Sequence, residues 1–162
     1  MVQFSKYKPS SLKRSSILKP IGKITQLFIS KQGHSSRIRK KTLSLHALGI
    51  KEDKFYNKDT QRSILITSQD SYTLMEQHNI TVPYGTLGEN ILIDFNLYHL
   101  KPGTQFKVGE NVLLEISQYC TICKHLSAID EQLPKLLKND RGIFAKVLKG
   151  GVIAQGDNIY MF

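Results

Sequence analysis

The apolar residues of this chain fall in short runs that end at glycines or at a proline-glycine turn. Within residues 42–48, Leu43, Leu45 and Ala47 alternate with polar residues, a period of two that is typical of a strand with one buried face. Residues 62–67 form another short apolar run. Many short strands between regular turns favour a β-barrel or a folded sheet, so we predict a mainly β, single-domain fold with a few short helices.

The second half of the chain contains the clearest hairpin. Residues 105–108 and 112–116 are apolar at alternate positions and are joined across a turn at residues 109–111. The segment GENILIDF, which begins at Gly88, predicts a turn followed by a strand. The glycine-rich segment that begins at Gly142 is expected to form a closing hairpin or a strand pair.

Two segments have helical character. A Thr67-x-x-Asp70 pattern can cap the first helix, with a carboxylate in its first turn. Its apolar stripe is predicted to consist of Tyr72, Met75 and Ile80. The second segment covers residues 124–138 and is interrupted by Pro134, so we expect a broken helix there.

Length and charge divide the chain into one domain and a basic arm. A length of 162 residues suits a single domain, and 40% hydrophobic residues suffice for a core. The net charge is +10, yet residues 1–41 contain eleven Lys and Arg and no Asp or Glu. Residues 42–162 contain the other twelve basic residues and all thirteen acidic ones, so they are close to neutral. We therefore predict a basic arm at residues 1–20 and a single domain at residues 21–162. The arm has only Phe4 and Tyr7 as aromatic residues, so a solvated terminus is favoured over a nucleic-acid contact, a membrane-surface patch or a transit segment.

No stretch of the sequence is apolar for long enough to cross a membrane, and residues 1–20 lack the apolar core of a secretory signal. Two cysteines in a chain of this length do not form a disulfide framework. We therefore expect a protein of the reducing cytoplasm.

The strongest chemical signal is the segment SQYCTICKH, residues 117–125, which follows a predicted strand. A thiol between a strand end and a helix start lies where backbone N–H groups favour the thiolate, and Lys124 and His125 add cationic neighbours. The residues alone leave four interpretations open. In the first, Cys120 and Cys123 form a redox pair, and in the second they are two ligands of a zinc site. In the third, one of the two thiolates ligates a metal or carries sulfur. In the fourth, both are small buried hydrophobic residues.

Several segments together resemble the successive landmarks of MOSC domains, the module found at the C-terminus of molybdenum cofactor sulfurases. They are GENILID from Gly88, PGTQFKVGENVLLEISQ from Pro102, Cys123, and RGIFAKVLKGGVIAQGDNI from Arg141. Upstream, LHALGIKED is similar to the Gly-x-x-Gly-Asp loop of the family and ends at Asp53, with Glu52 in place of the second glycine. The resemblance runs from about residue 20 to the end of the sequence. It matches Cys123, rather than Cys120, to the cysteine of the family.

The resemblance implies a β-barrel-like fold that handles the molybdenum cofactor (molybdopterin) or its sulfur. Some relatives use the bound cofactor to reduce N-hydroxylated compounds, with a cysteine thiolate on the metal. In the long sulfurases, the domain accompanies a pyridoxal-phosphate domain that removes sulfur from cysteine. For this chain the resemblance implies Cys123 as the catalytic residue and metal ligand, or as a sulfur carrier. Because the chain has no room for a pyridoxal-phosphate domain, the expected partner is a pyridoxal-phosphate sulfurase or an electron-donor protein.

The phosphate and the polar pterin of that cofactor require cationic and hydrogen-bonding groups. The candidates for the phosphate are the cations Arg62, Lys54, Lys58 and Arg141. The candidates for hydrogen bonds to the pterin, or for fixing loops, are Asn90 and Asp53. Two other functions stay open: an adaptor whose basic arm contacts nucleic acid or an acidic partner, and a dithiol redox protein that uses the C-x-x-C pair.

Overall fold

Strands dominate the described part of the chain, which in the computed structural model comprises residues 18–121 and 124–162. The strands are β1 (Pro20–Ile29), β2 (Ile38–Lys40), β3 (Thr42–His46), β4 (Gly49–Ile50), β5 (Ile64–Ser68), β6 (Ile91–Ile93), β7 (Gln105–Val108), β8 (Val112–Tyr119), β9 (Ile143–Lys149), β10 (Gly151–Ala154) and β11 (Asn158–Met161). The α-helices are α1 (Gln69–Gln77), α2 (Lys124–Ile129) and α3 (Leu133–Leu136), and a 3-10 turn covers Thr60–Arg62.

Seven strands close into a barrel in the order β1, β11, β7, β8, β9, β5 and β6, and β6 returns to β1. Strands β5 and β6 run parallel, with Ile66 opposite Ile91, whereas β7, β8 and β9 form antiparallel ladders. Strand β2 extends the sheet beyond β1. The predicted mainly β, single-domain fold is confirmed, as is the hairpin of β7 and β8.

Alternation along β1 and β6 sends neighbouring side chains to opposite sides of the sheet. The core inside the barrel contains Leu27, Ile29, Ile91 and Ile93. Phe28 and Leu92 lie between these positions and pack in a second core, against the helices. The barrel wall is therefore buried on both faces at this place.

The helices contribute their apolar side chains to this second core. They are Tyr72 and Met75 of α1, Leu126 of α2 and Leu133 of α3. Tyr72 and Met75 of the predicted stripe are buried on α1, as expected. Ile80 is also buried but lies beyond the end of the helix at Gln77, so its assignment to the stripe was wrong. Among the described residues, no helix is both long and apolar enough to span a bilayer.

A smaller sheet of β10, β3 and β4 adjoins the barrel. Leu43 and Leu45 of β3 are buried in the barrel core, as the alternation predicts, and Ile153 of β10 lies opposite Leu43. Ala47 is exposed, so its placement on the buried face was wrong. The physical reason is that β3 ends at His46, where the chain turns towards β4.

Three local predictions differ from the structure. Ser68, not Thr67, caps α1: its Oγ accepts the N–H of Asp70 at 3.0 Å, because β5 continues to Ser68 and Thr67 is buried. Pro134 does not interrupt a helix but lies in the first turn of α3, where a backbone N–H has no partner within the helix and its absence is tolerated. The break between α2 and α3 comes before Pro134. The predicted closing hairpin is replaced by three strands that pair elsewhere, since β9 joins β8 and β5, β10 joins β3, and β11 joins β1 and β7.

Candidate functional site

A cavity of about 890 Å³ lies where loops from distant parts of the chain meet. Its walls are formed by parts of residues 30–37, 54–65 and 83–90, by Cys120, Thr121 and His125, and by Arg141 and Phe144. This volume is typical of a site for a small molecule.

The cavity is rich in positive charge. Its cationic lining consists of Arg37, Lys54, Lys58, Arg62 and Arg141. In the part of the lining that the structure describes, Asp59 is the one acidic residue. Cations grouped in a concave surface of low dielectric raise the local concentration of anions, so the cavity favours an anionic ligand.

The predicted cofactor-binding residues come together at this cavity. Lys54, Arg62, Asn90 and Arg141 all line it, although they are distant in the sequence. Asp53 is not part of the lining but lies directly behind it, with an exposed fraction of 6%. The structure thus places the five residues around one space, and their contact with a cofactor stays a prediction.

The cysteine segment borders the same cavity. Cys120 is buried and lines it together with Thr121 and His125, and Nε2 of His125 lies 3.3 Å from the carbonyl oxygen of Thr86. Cys123, predicted as the catalytic residue and metal ligand, lies outside the described residues, so both roles stay predictions. Within residues 18–121 and 124–162, no group of three or more His, Cys, Asp and Glu is arranged to hold a metal ion.

Asp53 connects the loops of the cavity wall. Its Oδ2 accepts the backbone N–H of Ser30 at 2.8 Å and the amide of Asn90 at 3.2 Å. Its Oδ1 accepts the backbone N–H of Phe55 at 2.9 Å. Nη1 of Arg37 lies 3.7 Å from Oδ2. These contacts are those of a residue that fixes loops, one of the two roles predicted for it.

Glu52, the residue before Asp53, stands where the resembling loop has its second glycine, and the loop nevertheless keeps a glycine-like backbone conformation. Glu52 adopts a left-handed φ of 75°, a conformation that glycine takes without strain. Its Oε2 lies 3.4 Å from Nζ of Lys40. The substitution therefore leaves Asp53 buried and in place.

Arg37 belongs to the site but is not apparent from the sequence, where residues 31–39 have only the polar character of a loop. Burial lowers the pKa of Arg37, the carboxylates of Asp53 and Glu89 raise it, and the neighbouring Arg141 lowers it again. Arg37 therefore lies among two buried acids and a second cation. No local pattern distinguishes it from the other cations of the basic first quarter of the chain.

Asn90 joins two strands at the cavity wall. Its Oδ1 accepts the backbone N–H of Leu65 at 3.0 Å. Its Nδ2 donates to the carbonyl of Phe28 at 3.3 Å and to Asp53. Both amide hydrogens are thus used within the protein, and Asn90 holds β1 to β5 at the point where β6 begins.

The backbone at Arg141 is anchored to β5 and α1. Oγ1 of Thr67 donates to the carbonyl of Arg141 at 3.2 Å, and Ser71 donates to the carbonyl of Asp140. Gly142 follows with a φ of 126°, and a Cβ there would lie 2.5 Å from the carbonyl oxygen of Ile66. Only glycine fits such a close approach between backbones.

A buried carboxylate organises the loop at residues 83–88. Oε1 of Glu89 accepts the hydroxyl of Tyr72 at 2.7 Å and the backbone N–H of Gly85 at 2.8 Å. The Tyr72 oxygen in turn accepts the N–H of Leu87 at 3.2 Å. Burial, and then the charge of Glu89, raises the pKa of Tyr72, so the phenol stays protonated and donates.

Aromatic rings lie beside two of the cations. Nζ of Lys54 is 5.0 Å from the ring centre of Phe55, and Cζ of Arg62 is 4.8 Å from that of Phe144. Such cation–π contacts restrict the side chains that carry the charge. Phe55 and Tyr84 also line the cavity and remain 44% and 39% exposed, so they offer apolar surface to a ligand.

Solved structures share this fold. YuaD from Bacillus subtilis has a TM-score of 0.77 at 16% sequence identity, with 90% of this chain and 100% of that chain covered. YiiM from Geobacillus stearothermophilus has a TM-score of 0.71 at 16% identity, with 87% and 75% covered. YiiM from Escherichia coli has a TM-score of 0.64 at 20% identity, with 86% and 69% covered. At these identities the likeness concerns the fold alone.

The sequence itself carries the family assignment. A search of curated proteins gives no significant match. The family model described as the MOSC domain matches residues 43–160, which is the greater part of the chain and includes all of β4 to β10. The chain therefore belongs to the MOSC domain family.

Proposed function

We propose that this MOSC domain protein binds the molybdenum cofactor in the cavity and uses it either to reduce N-hydroxylated compounds or to transfer sulfur through Cys123. The observation that carries the proposal is the cavity itself. It combines a volume of about 890 Å³, five cations and a border that includes Cys120, Thr121 and His125, which lie within three residues of Cys123 in the sequence.

The residues of the cavity fit the chemical demands of that cofactor. Its phosphate needs cationic donors, and Arg141 supplies a buried guanidinium whose Nε and Nη1 have no hydrogen-bond partner in the described ranges. Lys54 and Arg62 add exposed or half-buried cations. Molybdenum prefers soft sulfur ligands, and a Cys123 thiolate provides one.

The chain's own residues divide the work of binding. Arg141, Arg62 and Lys54 attract and orient the anionic part of the ligand. Asp53 and Asn90 keep the cavity wall in shape through hydrogen bonds within the protein. Phe55 and Tyr84 cover apolar surface of the ligand and exclude water from it. The bound cofactor would supply electron transfer or sulfur at its metal.

Each of the two reactions needs a partner. Reduction of an N–OH group consumes two electrons and two protons and releases water, so an electron-donor protein is required. Sulfur transfer needs a donor such as a pyridoxal-phosphate sulfurase that carries a persulfide. The Cys123 thiolate would attack the outer sulfur of that persulfide, the S–S bond of the donor would break, and the donor's thiolate would leave.

Metal analysis of three proteins tests the proposal. The wild type, Cys123→Ser and Cys120→Ser are purified from a host that makes the cofactor, and molybdenum, zinc and iron are measured per chain. We expect molybdenum in the wild type and in Cys120→Ser, and its loss in Cys123→Ser. Absence of molybdenum from all three would reject cofactor binding, and equal loading of all three would reject the role of Cys123.

The same variants separate the proposal from a dithiol mechanism, which is kept as the second candidate because Cys120 also lines the cavity. A dithiol protein needs both sulfur atoms to form and break a disulfide. It would therefore lose its activity equally in Cys120→Ser and Cys123→Ser, whereas cofactor binding requires Cys123 alone.

A further inference from the structure

The guanidinium of Arg141 has unused binding capacity inside the protein. Arg141 is 4% exposed and lines the cavity, yet its Nε and Nη1 have no hydrogen-bond partner among the residues that the structure describes. A buried polar group without a partner is costly, and for a charged group the cost is larger still. An acceptor in the cavity would remove that cost.

The backbone holds Arg141 in this position. Hydrogen bonds from Thr67 and Ser71 fix the carbonyls of Arg141 and of the residue before it, and Gly142 packs against the carbonyl of Ile66. The backbone of Arg141 is therefore held beside the cavity that its buried side chain lines.

The nearby acids do not satisfy Arg141. Oxygens of Asp53 accept two backbone N–H groups and the amide of Asn90, and the acid pairs with Arg37. Glu89 uses Oε1 for Tyr72 and Gly85, and its buried Oε2 has no hydrogen-bond partner among the described residues. Over residues 18–121 and 124–162, no carboxylate lies within 4.0 Å of the Arg141 guanidinium.

Arg37 provides a second guanidinium close by. Its Nη1 also has no hydrogen-bond partner in the described part of the chain, although it lies 3.7 Å from Asp53. Both arginines line the same cavity. Burial is the main cause that lowers the pKa of Arg37, Asp53 and Glu89 raise it, and the charge of Arg141 lowers it further. An oxyanion that contacts both guanidinium groups would offset the repulsion between them.

We propose that Arg141 and Arg37 together bind a phosphate-type oxyanion, such as the head of a phosphate monoester. Guanidinium groups present paired N–H donors whose spacing matches the oxygens of a phosphate. The inference rests on the proposed function, in which the phosphate belongs to the cofactor, and it names Arg37 and Arg141 as the groups that contact the anion directly. The more exposed Lys54, Lys58 and Arg62 attract the ligand to the cavity and orient it.

Titration of inorganic phosphate into cofactor-free protein tests this site directly. We compare the wild type with Arg141→Met, Arg141→Lys and the control Arg39→Met, which removes an exposed arginine outside the cavity lining. By isothermal calorimetry we expect Arg141→Met to weaken binding by about tenfold or more. Arg141→Lys should weaken it less, since the charge remains, and Arg39→Met should change it by less than about twofold.

Two results would overturn the site. One is no phosphate binding by the wild type up to about 10 mM. The other is equal affinity in the wild type and in a folded Arg141 variant. If neither variant folds, the Nε–H resonance of Arg141 in the wild type decides: a shift on addition of phosphate supports the site, and an unchanged resonance overturns it.

The result is separable from that of the metal analysis. Phosphate binding through Arg141 with no molybdenum in the purified protein would keep this site and reject the cofactor. Molybdenum loading without phosphate binding at Arg141 would keep the cofactor and reject this assignment of the anion.

Discussion

Oδ2 of Asp53 lies 3.7 Å from Nη1 of Arg37 and accepts the backbone N–H of Ser30 at 2.8 Å. One buried carboxylate thus joins the loop that carries Arg37 to the loop that carries Lys54. Arg37 and Lys54 belong to different segments of the chain, and both line the cavity. The shape of the cavity therefore depends on an acid that does not line it.

Replacement of Asp53 by asparagine is expected to destabilise the protein strongly. The variant removes the charge that faces Arg37 and turns an amide N–H₂ towards N–H donors. A loss of about 2–4 kcal/mol in the free energy of unfolding is expected. Chemical denaturation measures it. Asp59→Asn is the control, because Asp59 is exposed and asparagine caps a helical turn equally well. Equal losses in the two variants would contradict the role of Asp53.

Replacement of Gly142 by alanine should lower the stability of the protein by more than the strain of a left-handed backbone conformation accounts for. The added Cβ would lie 2.5 Å from the carbonyl oxygen of Ile66, so β5 or the Arg141 segment must move. Gly156→Ala is the matched control, since Gly156 has a φ of 90° and nothing within 4 Å of the added Cβ. We expect the free energy of unfolding to fall by about 1 kcal/mol in Gly156→Ala and by at least about 2–3 kcal/mol in Gly142→Ala. Similar melting temperatures would argue against the close contact.

Replacement of Glu52 by glycine should stabilise the protein slightly. The change relieves a left-handed φ of 75° and removes only an exposed ion pair with Lys40. We expect the free energy of unfolding to rise by about 0.5 kcal/mol. This figure includes the opposing effect of glycine, which gives the unfolded chain greater conformational freedom. Glu52→Ala is the comparison, because it also loses the ion pair but keeps the strain. If both variants lose stability to the same extent in urea, Glu52 is not strained.

The ion pair between Glu115 and Lys146 should contribute to stability in a defined pH range. Oε1 of Glu115 lies 3.0 Å from Nζ of Lys146, and this hydrogen bond, then that from Gln105, lowers the pKa of Glu115 below its ordinary value of 4.5. The contribution is present above the unfolded-state pKa and is lost as the pH falls through the lower folded-state value.

Thermal unfolding between about pH 6 and pH 3 measures this dependence. Glu115→Gln should lose less stability than the wild type as the pH falls over this range, because it has no carboxylate to protonate. Glu110→Gln is the control, since Glu110 is an exposed turn residue. Parallel profiles for the wild type and Glu115→Gln would show that the pair contributes nothing.

Much of the fold could be predicted from local patterns. The burial of Leu43 and Leu45 in β3, the hairpin of β7 and β8, and the burial of Tyr72 and Met75 on α1 depend on neighbours within a few residues, and the structure confirms them. The failures came where tertiary contacts decide the outcome. Strands β9 and β11 take part in closing the barrel, and β10 pairs with β3 in the smaller sheet. These partners lie elsewhere in the chain and satisfy the backbone groups that a terminal hairpin would leave at an edge.

For the candidate site, the sequence by itself determined residue types: cations at positions 54, 62 and 141, an amide at position 90, and a cysteine segment before a helix. Only the tertiary structure decided that these positions surround one cavity, that Asp53 lies behind its wall, and that Arg37 belongs to it. The reason is physical. The burial and pairing of a charge are set by residues such as Asp53, Glu89 and Arg141 that are far away along the chain, and local sequence contains no record of such neighbours.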